Sequence, residues 1–302
     1  MQELKEAKFY SKLKDKKLRC NLCYRSCIIT LGKSGFCNVR KNLSGKLYSL
    51  VYGKPCSINI DPIEKKPIYN YLPGTKTLSL ATVGCNFDCK FCQNFSISKV
   101  SASNLGRNFA LNLGQKIKKD YVSPKEIVNL AIESNCPSIS YTYTEPTVFF
   151  EYALDIMKLA RKNNLKNIWV SNGYMQKRPA LKIAKYLDAI NIDLKGDKEF
   201  YNCLINGADV EVVKENIKLF HKRAAHVEIT NLLIEKENTK DEQIRQIASF
   251  VASINKNIPL HFSASFGSYK MKSIIPTKIK TLIRAREIAN SFGLKYVYLG
   301  NI

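Results

Sequence analysis

The sequence lacks any apolar run long enough to cross a bilayer. Its first 17 residues, MQELKEAKFYSKLKDKK, are charged throughout and hold no hydrophobic stretch that could serve as a signal peptide. A membrane protein and a secreted one are thereby set aside, and a cytoplasmic protein is expected. Acidic side chains are scarce, with 25 Asp and Glu against 48 Lys and Arg and a formal net charge of +23. A field of that sign draws nucleic acid, anionic partners and acidic proteins alike. The chain has no arginine-rich arm and no recognisable nucleic-acid module, however, and its lysines run along its whole length. A basic, solubilising surface is therefore expected rather than a nucleic-acid partner. Tandem repeats and low-complexity tracts are absent. Histidine is nearly so, with three in 302 residues, the first at position 221.

What the chain does have is cysteine, ten in all, within a composition of 45% hydrophobic and 24% charged residues that is ordinary for a globular protein with a sizeable core. In a reducing compartment clustered cysteines read as metal ligands or redox groups rather than disulfides. Seven of the ten fall into two sets: Cys20, Cys23, Cys27 and Cys37, then Cys85, Cys89 and Cys92. Cys56, Cys136 and Cys203 stand alone and read as small buried hydrophobes.

From about Leu78 onward short β-branched runs alternate with amphipathic stretches, the pattern of βα units on a parallel sheet. The candidate strands are 78–83, 138–144, 167–172, 189–195, 226–234, 259–265 and 295–301. The helical stretches are PKEIVNLAIESN, with Ser123 as N-cap and Pro124 at the first helical position, then PTVFFEYALDIMKLARKNN, KENIKLFHKRA, TKDEQIRQIASFVASIN and TKIKTLIRAREIANSFG. Six or so repeats favour an α/β fold built as a partial or full β/α barrel, with an open doubly wound sheet as the alternative. Residues 1–75 have a different texture and read as a small N-terminal cysteine-rich metal-binding domain followed by a linking segment, SINIDPIEKKPIYNYLPGT, with the barrel over 76–302.

The stretch TVGCNFDCKFCQN sits directly behind the first of those strands. A structural zinc site needs four protein ligands, yet the next cysteine downstream is Cys136 and Cys56 lies 29 residues before Cys85. Three thiolates without a fourth describe a site with one position left open. An iron–sulfur cluster ordinarily takes four thiolates, so held by three it keeps one iron free for an outside ligand. The first set, at spacings of 2, 3 and 9 intervening residues, offers four thiolates. It suits either a structural zinc or an auxiliary 4Fe-4S cluster acting as an electron relay.

C-x3-C-x2-C at the end of the first strand of a β/α barrel, with an aromatic residue just before the third cysteine, resembles the radical S-adenosylmethionine (SAM) superfamily. The likeness narrows to the AmmeMemoRadiSam system radical SAM enzymes, relatives of the pyruvate formate-lyase activases, from about Leu18 to the C-terminus. It is carried by RCNLCYRSCIITLGKSGFCNVR, DPIEKKPIYNYLPGT, TVGCNFDCKFCQN, YTYTEPTVFFEY, SNGYM, NIDLKG and GLKYVYLGN. The resemblance implies that Cys85, Cys89 and Cys92 hold a 4Fe-4S cluster whose open iron binds SAM. A low-potential donor such as ferredoxin or flavodoxin would then drive reductive cleavage to a 5'-deoxyadenosyl radical that abstracts hydrogen from a substrate the family does not identify. It also implies Memo-like and AMMECR-domain proteins as partners.

Carried over residue by residue, Phe91 lies near the adenine, Glu145 meets the SAM amine, and Ser171 and Asn172 contact ribose or methionine. Lys195 pairs with the SAM carboxylate, and Asp193 with ribose or a cation. Blander readings stand beside these: an acid favoured at a helix N-terminus for Glu145, a plain Asn-Gly turn for Asn172, a strand-end ion pair for Asp193 and Lys195. Two loops depart from the family pattern, IEKENTKD after the fifth strand and SASFGSYKM after the sixth, the second being a candidate contact for SAM or substrate. A glycyl-radical-enzyme activase, an RNA-binding or RNA-modifying protein and a non-catalytic iron–sulfur scaffold remain as alternative functions.

Overall fold

Runs dense in Ile, Val, Leu and aromatic residues, bounded by Gly, Asn and Asp, set the strands of the main sheet, because such side chains fill a surface buried on both faces. The computed structural model describes residues 4–100, 121–223 and 225–302. It opens with six short strands: β1 (Lys5–Glu6), β2 (Tyr10–Lys12), β3 (Leu18–Cys20), β4 (Ile28–Ile29), β5 (Arg40–Leu43) and β6 (Lys46–Ser49). They pair as two three-stranded antiparallel sheets, in the orders β1-β6-β5 and β2-β3-β4. The main sheet follows, formed by β7 (Ser57–Pro62), β8 (Lys76–Ala81), β9 (Ser138–Tyr141), β10 (Lys166–Ser171), β11 (Ala189–Asp193), β12 (His226–Leu233), β13 (Leu260–Ala264) and β14 (Val297–Gly300).

Its order is strictly sequential, β14-β13-β12-β11-β10-β9-β8-β7. A doubly wound sheet reverses direction at a switch point, so that alternative is excluded. Every neighbouring pair from β8 to β14 is parallel, and β7 runs antiparallel to β8. Among the described residues β7 and β14 stand at the two ends of this order and do not pair with each other, so the β/α barrel is partial and not full. The stretch the sequence places as a linking segment supplies β7, which pairs with β8 from Ser57 opposite Ala81 to Pro62 opposite Lys76.

The crossovers carry α1 (Phe95–Ser98), α2 (Pro124–Glu133), α3 (Phe150–Lys162), α4 (Lys177–Ala184), α5 (Lys198–Leu204), α6 (Val210–Lys222), α7 (Asp241–Ile254) and α8 (Ile279–Ser291). Ser123 caps α2 as expected: its hydroxyl accepts from Glu126 N at 3.2 Å while the Glu126 carboxylate accepts from Ser123 N at 2.7 Å. Such a reciprocal box satisfies two donors the helix leaves orphaned. Residues 214–222 of the stretch KENIKLFHKRA lie in α6, Arg223 follows the helix, and Ala224 lies outside the described residues. Cys56 and Cys136 are buried as expected, whereas Cys203 is exposed on α5.

The N-terminal segment shares one hydrophobic core with the sheet, Leu18, Ile29, Val39 and Leu47 belonging to the same cluster as Leu80, Trp169 and Ile190. A buried ion pair reinforces the join. Arg40 on β5 donates to both oxygens of Glu151 on α3, at 2.9 and 3.1 Å, and Glu151 also accepts from Lys8 N at 2.6 Å.

At the N-terminal end of the strands Glu228 is buried among four donors: Tyr69 N at 2.9 Å, Asn70 N at 2.8 Å, His226 at 2.9 Å and His261 at 2.5 Å. His261 is thus a structural residue, as its position at the start of a strand suggests. Burial opposes the charge on Glu228, but the two imidazoles and the backbone N–H groups hold its carboxyl down at about 2. A carboxyl depressed on folding contributes stability that is present above its unfolded pKa of about 4.3 and is lost as pH falls toward the folded value. We therefore expect Glu228→Gln to cost about 3 kcal/mol at neutral pH and little near pH 2, read by urea unfolding at both pH values. A cost that does not change with pH would refute the assignment.

Candidate functional site

In a β/α barrel the reactive groups gather where the strands end, and the sequence puts polar or small residues at those ends. The chain leaves β8 through Thr82, Val83 and Gly84 and enters the cysteine loop. Gly84 takes φ +95°, and a Cβ there would meet Cys37 O at 2.7 Å and Val39 Cγ1 at 2.6 Å. Only glycine lets the strand end lie that close to the N-terminal segment.

Beyond it Cys85, Cys89 and Cys92 line one open cavity of about 590 Å³, in the size range of cofactor pockets. Phe91, Glu145, Ser171, Asn172, Asp193 and Lys195 line the same cavity. The structure thus brings together every residue the sequence assigns to this site, drawn from the ends of β8, β9, β10 and β11. Cys20, Cys23, Cys27 and Cys37 lie apart, around a separate cavity.

The cysteine loop is held from several sides. Phe87 N donates to Cys85 Sγ at 3.3 Å, the Cys92 thiol and Ser98 hydroxyl are 3.2 Å apart, and Lys99 Nζ donates to Phe87 O at 2.5 Å. The loop after β13 closes on it: Ser268 Oγ donates to Cys92 O at 2.9 Å and Lys270 N to Lys90 O at 2.9 Å. SASFGSYKM, expected as a contact for SAM or substrate, is therefore first a brace for the cysteines. In the other divergent loop Asn238 donates to Lys195 O at 2.7 Å and fixes the backbone beside the cavity.

Glu145 is buried and accepts four hydrogen bonds. One carboxylate oxygen accepts from Thr147 N at 3.0 Å, Thr147 Oγ1 at 2.5 Å and Ser171 Oγ at 2.8 Å, and the other accepts from Asn172 N at 2.8 Å. Burial pushes its carboxyl up, and these four bonds pull against that. Asn172 donates to Asn86 Oδ1 at 2.7 Å and accepts from Tyr174 N at 2.9 Å, so it ties the residue after Cys85 to the end of β10. Asp193 and Lys195 pair at 2.9 Å. Burial opposes the Lys195 charge, but Asp193 and the Cys89 sulfur together hold the ammonium above its ordinary value. The strand-end ion pair of the blander reading is therefore present, with Lys195 as a largely buried cation on the cavity wall. Lys195 Nζ also lies 5.8 Å from the centre of the Phe91 ring.

The donor set fits a thiolate-bound cluster. None of the three cysteines is in a disulfide. Burial pushes Cys85 well up and Cys89 up to about 11, while Lys195 and Lys99 draw Cys89 back toward the thiolate. Among the described residues no three His, Cys, Asp or Glu side chains are arranged to share a single metal ion. A multi-iron cluster does not require that arrangement, since each thiolate binds a different iron.

Sequence reading assigned no role to part of this wall. Lys66 and Tyr143 line the cavity, with Asp61 holding both: it accepts from Lys66 Nζ at 2.6 Å and from the Tyr143 hydroxyl, and Lys66 Nζ lies 4.3 Å from the Tyr143 ring centre. The only available signal was the motif DPIEKKPIY, whose Asp and Lys are not marked by spacing as a site. Next to Lys66, Pro67 O accepts from Asn191 Nδ2 at 2.7 Å, and Asn191 accepts from Thr230 Oγ1 at 2.9 Å.

Comparison with known proteins agrees with this geometry. A family model described as the radical SAM superfamily matches residues 79–251. An uncharacterized protein of Methanocaldococcus jannaschii is 44% identical over 99% of this chain and 86% of its own length. Two solved structures share the fold. A radical SAM methyltransferase from Sphaerobacter thermophilus has a TM-score of 0.56 at 12% identity, over 76% of this chain and 67% of that one. SuiB of Streptococcus suis bound to S-adenosylmethionine has a TM-score of 0.51 at 15% identity, over 75% of this chain and 48% of that one. No helix among the described residues is long and apolar enough to cross a membrane.

Proposed function

The chain belongs to the radical SAM superfamily, and from that premise we propose that it is an enzyme of the AmmeMemoRadiSam type, using a 4Fe-4S cluster at Cys85, Cys89 and Cys92 to cleave SAM. The observation that carries the proposal is the convergence of these cysteines with Phe91, Glu145, Ser171, Asn172, Asp193 and Lys195 on one cavity. When bound, the cluster and SAM together supply one-electron cleavage of a sulfonium and hydrogen abstraction from a substrate. A low-potential protein such as ferredoxin or flavodoxin is the proposed electron donor, and Memo-like and AMMECR-domain proteins are the proposed partners.

The chain's own residues do the positioning. Lys195, desolvated and fixed by Asp193 and by the Asn238 bond to its carbonyl, offers a cation to the SAM carboxylate. Glu145, Ser171 and Asn172 form a rigid polar strip beside it for the amine and the ribose. Phe91, packed against Phe200 at 5.6 Å between ring centres, gives the adenine an apolar wall. The loop after β13 closes the outer side of the cysteines and limits access of water and oxygen.

The test is anaerobic reconstitution with iron and sulfide, then dithionite and SAM, with 5'-deoxyadenosine as readout. A loaded cluster without SAM cleavage would refute the proposal. Lys195→Met removes a charge-assisted bond and is expected to raise the KM for SAM about 10- to 100-fold with cluster absorbance unchanged. An unaltered KM would take Lys195 out of SAM binding.

A further inference from the structure

One of the side chains that hold the cysteine loop comes from outside the barrel. Arg25 sits in the turn between Cys23 and Cys27, 61 positions before Asn86. Its guanidinium donates Nε–H to Asn86 O at 2.9 Å, one terminal nitrogen to Asn206 O at 2.8 Å and the other to Ile205 O at 3.2 Å. All three acceptors are backbone carbonyls, so each bond fixes the course of the chain. Aromatic rings bound the group, with Cζ 4.4 Å from the ring centre of Phe36 and 5.9 Å from those of Phe87 and Tyr174. A guanidinium suits such a seat because its donors are spread over a rigid plane that also lies against rings, whereas the donors of an ammonium diverge from one atom.

Those three carbonyls flank the cysteine loop. Asn86 follows Cys85, and its side chain accepts from Asn172 Nδ2 at 2.7 Å and donates to Tyr174 O at 3.2 Å. Ile205 and Asn206 follow α5, whose Leu204 O accepts from Lys90 N at 2.9 Å and whose Phe200 packs on Phe91. Arg25 therefore bridges the start of the loop to the helix end that holds its middle. The turn that carries Arg25 is itself anchored to the segment between β10 and α4. Gln176 N donates to Leu22 O at 3.0 Å, and Gln176 Nε2 donates to Cys23 O at 3.3 Å and to Ser26 Oγ at 3.1 Å.

We propose, on the reading of the large cavity as the SAM site, that Arg25 is a positioning residue for SAM cleavage. By tying Asn86 to the end of α5 it sets the place of a cluster ligand, Cys85, and through Asn172 that of the polar strip beside it. Small displacements of reacting groups cost rate steeply.

The test is Arg25→Ala in the full chain, reconstituted anaerobically with iron and sulfide. Iron and sulfide content should match the wild type, and 5'-deoxyadenosine formation should fall about 10- to 100-fold. Guanidinium chloride at low millimolar concentration should restore part of the rate by refilling the half-buried seat, while potassium chloride at the same concentration should not. A general loss of structure would not be repaired by a denaturing cation. An unchanged rate, or a loss that guanidinium leaves untouched, overturns the proposal. Arg25→Lys keeps the charge and the stem without the fork and should resemble alanine. Should the alanine variant not fold, a full rate in Arg25→Lys overturns the proposal in its place.

Amide hydrogen exchange, measured without SAM, separates the clamp from the SAM reading. Exchange at Phe87 and Lys90 should quicken in Arg25→Ala and slow again with guanidinium, and unaltered exchange overturns the clamp. A wild type that holds its cluster but leaves SAM intact would refute the SAM reading and with it the purpose of the clamp, while the exchange result still decides whether the clamp exists.

Discussion

Replacing Cys89 by alanine is expected to bring 5'-deoxyadenosine formation down to the level of a protein-free control, while leaving the fold intact. The size of the effect follows from the ligand count. The site has three thiolates, and no further cysteine lines the large cavity to take the place of one removed. A cluster held by two protein ligands and two exposed irons is lost or rearranged. Stability should change little, because the loop around Cys89 is tied by bonds that do not involve its sulfur: Lys90 N to Leu204 O at 2.9 Å, Lys99 Nζ to Phe87 O at 2.5 Å and Ser268 Oγ to Cys92 O at 2.9 Å. Iron content, the charge-transfer absorbance of the cluster and the thermal midpoint, measured on one preparation, separate these effects. A variant that loses stability but still cleaves SAM would mean that the three cysteines pin a fold and do no chemistry.

The strands of the barrel were legible because each is a dense β-branched or aromatic run ended by a polar or glycine residue. The expected 138–144, 189–195 and 259–265 differ from Ser138–Tyr141, Ala189–Asp193 and Leu260–Ala264 by only a few terminal residues. The cysteine loop was legible for a different reason, since a cluster ligated from one loop must carry its ligands at short spacing. What could not be read has a common physical cause, contact between residues remote in sequence. Asp61 meets Tyr143 across 82 positions, Ser268 meets Cys92 across 176, and Arg40 meets Glu151 across 111. No local period encodes any of these. The short helices α4 and α5 escaped because eight and seven residues show barely two turns of pattern, and α4 has Pro179 within it. Strand β7 was read as a linker because SINIDP holds only two β-branched residues and ends on Pro62, which demotes a run as a strand.

Glu145→Gln is expected to lower kcat/KM for SAM cleavage about 100-fold, the second largest loss after the cysteines, with cluster absorbance retained. The carboxylate accepts four bonds from Thr147, Ser171 and Asn172, all donors. An amide of the same shape must turn one NH2 toward one of those donors. Facing Asn172 N, or facing Thr147 N with the Thr147 and Ser171 hydroxyls turned to accept, it sets an N–H against an N–H and forfeits at least one charge-assisted bond. Losing a bond to a charged acceptor costs about 1.5–3 kcal/mol, and the strain falls on the end of β10, where Asn172 holds Asn86 beside Cys85. Charge adds to this, because a neutral side chain no longer complements a cationic amine in a desolvated site. Glu145→Asp distinguishes the contributions: it keeps the charge, cannot reach all four donors, and should lose stability as the amide does while keeping more of its affinity for SAM. Equal affinities in the two variants would assign Glu145 to bracing the strand ends alone. Acidification offers an independent check on the wild type, since burial raises the carboxyl and its charge is therefore lost before that of an exposed glutamate as pH falls. SAM affinity should decline over that interval in the wild type and stay flat in Glu145→Gln, whereas parallel declines would place the titrating group elsewhere.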